Sequence, residues 1–419
     1  MSVAFFHITS IALLIITILQ IDKKFHISPA SVIIGILILI IPFKFLFLDI
    51  FEFNMPILKD YQYLHYSSIA FFAFSLILFL TLKLLSIYKV KFIKISFNPT
   101  NHIVKISYIT LALLILLVIS RYGFLALFDP VLIRKSAESS GALYLTQFYL
   151  LSVSLAIVYV SDKNFIFKIF FYFVHFTFSI VAGRPGWLFI YLLNILLLSN
   201  VRQKKLPIFS LLAVILLFPL LAVFILRYRL AKNEFNTVFE ALTEALNSFA
   251  NTDLSEIASF ILLRTDQLEH FSNYVGLLYE SKIFSSFSDI FHSLIQFIPR
   301  FILPEKPLNF SADLTSTIYP EVYAIGVTNN FLGISEFIHY FGFSGIFICG
   351  IFMGYLLKLI NVYFKESYSN IYIYNVFFNI LFIYAFQGIM SGFFNEWALQ
   401  CLILNVFYMN LIGKWGIIK

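Results

Sequence analysis

Apolar residues in this chain run in long uncharged stretches, broken by short polar punctuation. A helix needs about 20 mostly apolar residues to cross a hydrocarbon core of about 30 Å. On that measure the pattern predicts about eleven transmembrane helices, near 3–20, 28–50, 67–88, 103–122, 142–160, 165–182, 186–200, 207–227, 333–359, 371–389 and 396–413. The expected fold is all-α and polytopic. A bundle of about eight helices occupies 1–227, a large helical extracytoplasmic loop 228–332, and about three C-terminal helices 333–419. Val3 to Gln20 lacks a basic leader and a small-residue cleavage site, so it reads as a retained helix. Within the loop, Phe235, Phe239, Leu242, Leu246 and Phe249 recur at helical spacing and form one apolar stripe. Asp253 with Glu256 resembles a capping box that opens a second helix to about Leu263. A third helical stretch spans roughly 286–298. Such faces, without disulfides, lie against the membrane surface or cap a cavity. A connection of that length is functional rather than a simple link.

Composition narrows the class. Only 12% of residues are charged, against roughly a quarter in a soluble domain, which excludes a soluble fold. The net charge of +7 reports topology and not nucleic acid, because Lys and Arg gather on the cytoplasmic side of membrane proteins. Every odd-numbered connection is basic: Lys23 and Lys24; Lys89, Lys91 and Lys94; Lys163 and Lys168; Arg202, Lys204 and Lys205; Lys358 and Lys365; Lys414 and Lys419. This puts the N-terminus outside and the C-terminus inside. Lys59, Lys135, Lys232, Lys282 and Lys306 fall outside, so the bias is a majority. The arginines break it: Arg121, Arg134, Arg184, Arg227, Arg229, Arg264 and Arg300 all fall at or beyond the outer face. Arginine outranks lysine where phosphate or carboxylate is gripped by a planar fork. An anionic ligand such as a lipid-linked pyrophosphate fits that face, and ordinary surface arginines are the competing reading. Cys349 and Cys401 both lie in apolar runs, which leaves the loop without a disulfide framework and without a cysteine metal site.

Three segments carry candidate chemistry. Ala182-Gly183-Arg184-Pro185-Gly186-Trp187 forces a tight reversal between two apolar runs. The run after it is about 14 residues, roughly 21 Å at helical rise, so Arg184 is recessed into an outward-open cavity or snorkels at the interface. Ile298-Pro-Arg-Phe-Ile-Leu-Pro-Glu-Lys-Pro307 holds an extended path that projects Arg300 and Lys306, with Asn309, Ser311 and Asp313 just beyond. Where the loop re-enters the membrane, Glu336, His339 and Tyr340 share a helical face. Glu336 is the first candidate for general base and His339 the second. Complementing a helix N-terminus is the alternative for Glu336, and a satisfied interfacial side chain the alternative for His339.

The order of these features resembles the O-antigen polymerases, the Wzy-type oligosaccharide repeat-unit polymerases: a Gly-Arg turn, a long outer loop, Pro-Arg-x-x-x-Pro-x-Lys-Pro at 299–307, and Gly-x-x-Glu-Phe-x-x-x-Phe-Gly-x-x-Gly at 333–345. The chain departs from that family in lacking a clear Arg-x10-Gly element and in reducing a second outer loop to 121–141. The resemblance implies a GT-C-like glycosyltransferase of the bacterial inner membrane. It would move a growing glycan from undecaprenyl pyrophosphate onto a lipid-linked repeat unit at the periplasmic face. It further implies an inverting reaction needing neither metal nor cofactor, a chain-length regulator as a possible protein partner, and no nucleic acid. On this reading Arg184, Arg227, Arg264, Arg300 and Lys306 hold the pyrophosphate. Asp313, Tyr319, Glu321, Tyr323, Asn330 and Tyr340 contact sugar. An O-antigen ligase acting on lipid A core, and a lipid-linked oligosaccharide flippase that is no enzyme, are the rival readings.

Overall fold

The computed structural model describes residues 3–21, 28–50, 58–87, 95–99, 102–129, 132–133, 142–160, 163–181, 223–232, 237–253, 266–280, 289–295, 302–324, 329–366, 383–394 and 413–417, with isolated positions between them. In chain order the elements are α1 (Val3–Ile21), α2 (Pro29–Ile38), α3 (Lys44–Ile50), α4 (Gln62–Ile87), β1 (Ile95–Pro99), α5 (Ile103–Tyr122), α6 (Ala142–Val160), α7 (Phe165–Val181) and α8 (Val238–Ala250). After these come α9 (Gln267–Tyr279), α10 (Asp289–Leu294), α11 (Phe310–Ile318), α12 (Pro320–Ala324), α13 (Gly333–Phe341), α14 (Gly345–Glu366), α15 (Ile383–Ser391) and β2 (Gly413–Ile417).

Among the described residues five helices are long and apolar enough to cross a membrane: Val3–Ile21, Pro29–Leu46, Gln62–Ile87, Ile103–Tyr122 and Gly333–Val362. A shorter apolar helix covers Phe165–Ser179. Predicted spans 186–200 and 396–413 fall almost wholly outside the described residues, as do most of 207–227 and of 371–389. Two spans expected to be continuous are interrupted. A π turn at Leu39–Phe43 separates α2 from α3; Pro42 within it has no N–H to donate and its ring crowds the carbonyl one turn back. Between α13 and α14 the chain breaks at Gly342 (φ +60°), a backbone conformation that only glycine adopts cheaply.

The chain packs as two compact units. The first comprises Met1–Lys94, Thr265–Glu366 and Ile380–Ile403; the second comprises Ile95–Arg264, Ser367–Asn379 and Leu404–Lys419. In the first, α4 is the hub, with α1, α9 and α14 packed along it. Gly350 and Gly354 let α14 come close: a Cβ at either would lie 2.7 Å from Ile77 Cγ2 or 2.6 Å from Thr81 Cγ2. Small residues four apart are the usual means of close helix approach in lipid. Serines add interhelical bonds, as with Ser67 and Ser272 at 2.7 Å.

In the second unit α5 packs along α6, and α6 meets α7. Thr110 and Ser152 are 3.0 Å apart, and Tyr149 Oη lies 2.9 Å from His175 Nδ1. These polar contacts hold α5 to α6 and α6 to α7 where burial of apolar surface gives little drive between helices. The exception to an all-helical fold, among the described residues, is a two-stranded antiparallel ribbon in which Ile95 pairs with Ile417 and Pro99 with Gly413.

Candidate functional site

The chain returns from the loop at α13. Glu336, His339 and Tyr340 lie there at the predicted i, i+3, i+4 spacing, and all three are buried. Their partners differ. The Glu336 carboxylate is wholly enclosed. It accepts the backbone N–H of Phe393, the N–H of Phe394 at 3.0 Å, and the Tyr340 hydroxyl at 3.4 Å. The turn that supplies these amides passes through Gly392 at φ +99°, where a Cβ would sit 3.1 Å from both carboxylate oxygens. A buried carboxylate has to collect donors of this kind, and here it clasps α13 to the segment after α15.

His339 and Tyr340 line a cavity of about 190 Å³, together with Asp289, His292 and Ser293 from α10 and Phe310 and Asp313 from α11. Local sequence sets this wall. Pro307 holds the approach extended, and Asn309 caps α11 by accepting the Ala312 N–H at 2.8 Å. The cap fixes Phe310 and Asp313 on the first turn, and the Phe310 ring packs 5.5 Å from His339. Asp289 stands between two imidazoles: Oδ2 is 3.5 Å from His339 Nε2 and Oδ1 is 3.7 Å from His292 Nδ1. Ser293 and Tyr340 share a hydrogen bond between their hydroxyls, so Glu336 reaches the cavity wall through Tyr340.

On the neighbouring helices the buried polar atoms His339 Nδ1, Tyr274 Oη, Ser311 Oγ and Ser335 Oγ find no hydrogen-bond partner among the described residues. The ring of Tyr274 lies 6.4 Å from that of His339. Burial pushes the Tyr274 phenol up, and the Asp313 carboxylate pushes it further, so it stays a neutral hydroxyl. Among the described residues no three His, Cys, Asp or Glu side chains converge as metal ligands.

A second polar group lies on α9. Lys44 and Glu269 form a buried ion pair, Nζ to Oε2 2.7 Å and to Oε1 2.9 Å. One residue on, His270 Nδ1 is 2.9 Å from the Tyr319 hydroxyl, and Asn273 Nδ2 donates to that hydroxyl at 2.6 Å. Asn273 Oδ1 accepts the Lys59 N–H at 2.8 Å, and the Lys59 ammonium stands 5.5 Å from the centre of the Tyr319 ring. Burial pushes the Tyr319 phenol up; the Asn273 hydrogen bond opposes the shift, while Asp266 and Glu269 add to it.

Of the residues expected to act, the structure gathers His339, Tyr340 and Asp313 at one cavity. Glu336 sits behind Tyr340 and does not line it. Lys306 is buried and donates to the Ile298 carbonyl at 3.0 Å, bridging the proline-rich segment. Tyr319 is engaged in the α9 network. Glu321 and Asn330 are exposed, and Tyr323 is half-buried. Arg227 belongs to the second unit, on helical backbone spanning 223–232. Arg184, Arg264 and Arg300 lie outside the described residues. Asp289, His292, Ser293 and Phe310 escaped the reading, although Asp289 and His292 are spaced i, i+3 in the stretch expected to be helical. Lys44 and Glu269 carried no signal, since the two halves of the pair are far apart in sequence. No family model, curated protein or solved structure matches this chain.

Proposed function

We propose that this polytopic membrane protein is a glycosyltransferase that polymerises undecaprenyl-pyrophosphate-linked oligosaccharide repeat units at the periplasmic face. The reading takes in about eleven spans in a GT-C-like arrangement, with the N-terminus periplasmic. The observation that carries it is the cavity at the loop's return, where His339 meets Asp289, Asp313 and Tyr340. Two carboxylates line that cavity, which suits a hydroxyl-bearing sugar better than a pyrophosphate. The cavity is therefore assigned to the acceptor. Its volume is below the roughly 300–1,000 Å³ of sites for drug-sized ligands, so it takes the end of a glycan and not a whole repeat unit.

In this reaction Asp289 holds the Nε2–H side of the His339 ring and stabilises the imidazolium that forms. The imidazole takes the proton of the acceptor hydroxyl as that oxygen bonds to the anomeric carbon of the donor sugar. The bond from that carbon to the pyrophosphate oxygen breaks, and its electron pair leaves with the lipid pyrophosphate. Glu336 is a positioning residue that orients Tyr340. Arg300, from the unit that holds the cavity, is assigned to the pyrophosphate, where a fixed cation stabilises developing charge.

The test is a gel of surface polysaccharide from a deletion strain complemented with wild type, His339→Gln or Arg300→Ala. A ladder restored by wild type, with both variants stopped at one repeat, supports polymerisation. Single-repeat glycan missing from core in the deletion strain, with polymer kept on the lipid carrier, makes the protein a ligase. Ladders from both variants equal to wild type overturn the site assignment.

A further inference from the structure

The second unit contains an amphipathic helix with an exposed apolar row. Helix α8 packs through Ala241 and Ala245, both fully buried, against Tyr228 and Ala231. Beside that contact, Phe239 is 80% exposed, Leu246 56% and Leu242 37%. The other side is polar and exposed, with Glu240, Thr243, Glu244 and Asn247. Thr237 caps the first turn, accepting the Glu240 N–H at 3.2 Å, while its hydroxyl donates to Glu240 Oε2 at 2.7 Å. This side-chain cap fixes where the helix starts.

What covers the row follows from its surroundings. Tyr228, on which α8 rests, is buried and lies near enough to Asp129 for that carboxylate to act on its phenol. Asp129 ends the short turn Phe124–Phe128 that follows α5, and Val118 of α5 packs with Ala126 of that turn and with Ile133 beyond it. Helix α8 therefore lies at the Tyr122 end of a candidate membrane span. Along α5 the exposed residues Ile109, Leu113 and Leu116 form one apolar row, and Tyr122 and Phe124 are exposed where the helix ends. Helix α8 presents its own exposed apolar row at that end.

We infer that α8 lies in the membrane–water boundary, with Phe239, Leu242 and Leu246 among the upper acyl chains and its acidic side in water. Its polar face carries Glu240 and Glu244 and no lysine or arginine. The docking is therefore apolar and independent of anionic lipid, unlike that of basic interfacial helices. The inference stands on the membrane character of α5 and does not need the glycosyltransferase reading.

The experiment places single nitroxides at 239, 240, 242, 243, 246 and 247 of the full chain in phosphatidylcholine nanodiscs, with and without phosphatidylglycerol. Cys349 and Cys401 are replaced by serine. Collision with oxygen should exceed collision with a water-soluble nickel chelate at 239, 242 and 246, and the order should reverse at 240, 243 and 247. The two lipid mixtures should give the same pattern. With native cysteines retained, Phe239→Trp should be quenched by brominated lipid more than by iodide. High nickel access at all six positions would overturn the proposal in favour of a helix in water. Low access to both agents at 239, 242 and 246 would overturn it in favour of a covering protein surface. A pattern that appears only with phosphatidylglycerol would overturn the apolar mode of docking.

Discussion

Glu336 and His339 are three residues apart on one helix, and the structure gives them different work. Glu336 is enclosed by three donors, two of them backbone amides. Glu336→Gln turns an NH2 group toward those amides and should cost about 1–3 kcal/mol, the usual penalty for an unpaired buried polar group. It would be read as a lowered apparent melting temperature in detergent. Gly392→Ala should cost about 1–2 kcal/mol from its positive φ alone, and more because the new Cβ presses on the same carboxylate. An unchanged melt for both variants would remove the clasp. His339 has the opposite profile. His339→Gln should reduce transfer by about 10²–10⁴-fold, the range of general base catalysis, with the melting temperature kept within a few degrees. Asp289→Asn should lower the rate less and shift its pH profile, because the imidazolium loses its counter-charge. A pH profile unmoved by Asp289→Asn would remove the pairing from the mechanism.

Helices were the legible part of this chain. The apolar runs at 3–20, 103–122 and 142–160 became α1, α5 and α6 within a residue or two, because span length is set by bilayer thickness and charge exclusion. The loop stripe from Phe239 to Phe249 became α8, since its period is that of one helical face. Interruptions were less legible. Nothing in the hydropathy of 28–50 announces that Pro42 would widen a turn and place Lys44 opposite Glu269. The cavity was half legible: His339 and Tyr340 stood out, while Asp289 is an ordinary acid until α10 folds against α13. The Lys44–Glu269 pair tests the packing of α9 on the membrane helices. Lys44→Ala or Glu269→Ala should each cost about 3–5 kcal/mol by stranding a buried charge. The double change Lys44→Met with Glu269→Leu should return most of that loss. Thermal melts of the three variants decide it: a double variant as weak as the sum of the single ones would show that the pair does not act as a unit. Gly354→Leu, which drives a side chain into Thr81, should likewise loosen α14 from α4 and lower the melting temperature.

At the scale of the molecule, both compact units are assembled from stretches far apart in the chain, and the ribbon of β1 with β2 is the plainest case. It puts the segment before α5 and the segment at 413–417 on one side of the membrane. Cysteines at Asn98 and Lys414, which face each other across the ribbon, should crosslink on mild oxidation, because paired strands bring Cα atoms to about 4.5–5.5 Å and disulfides span about 4.4–6.8 Å. An impermeant thiol reagent should reach both from the same side of sealed vesicles, and labelling from opposite sides would break the ribbon assignment. The ribbon also orders the protein's biogenesis. Strand β1 leaves the ribosome early, and its partner is made after every other described element. A nascent chain therefore inserts α5, α6 and α7 with that edge still open, a row of backbone donors and acceptors exposed to any passing strand. The second unit is sealed only when translation has passed residue 417.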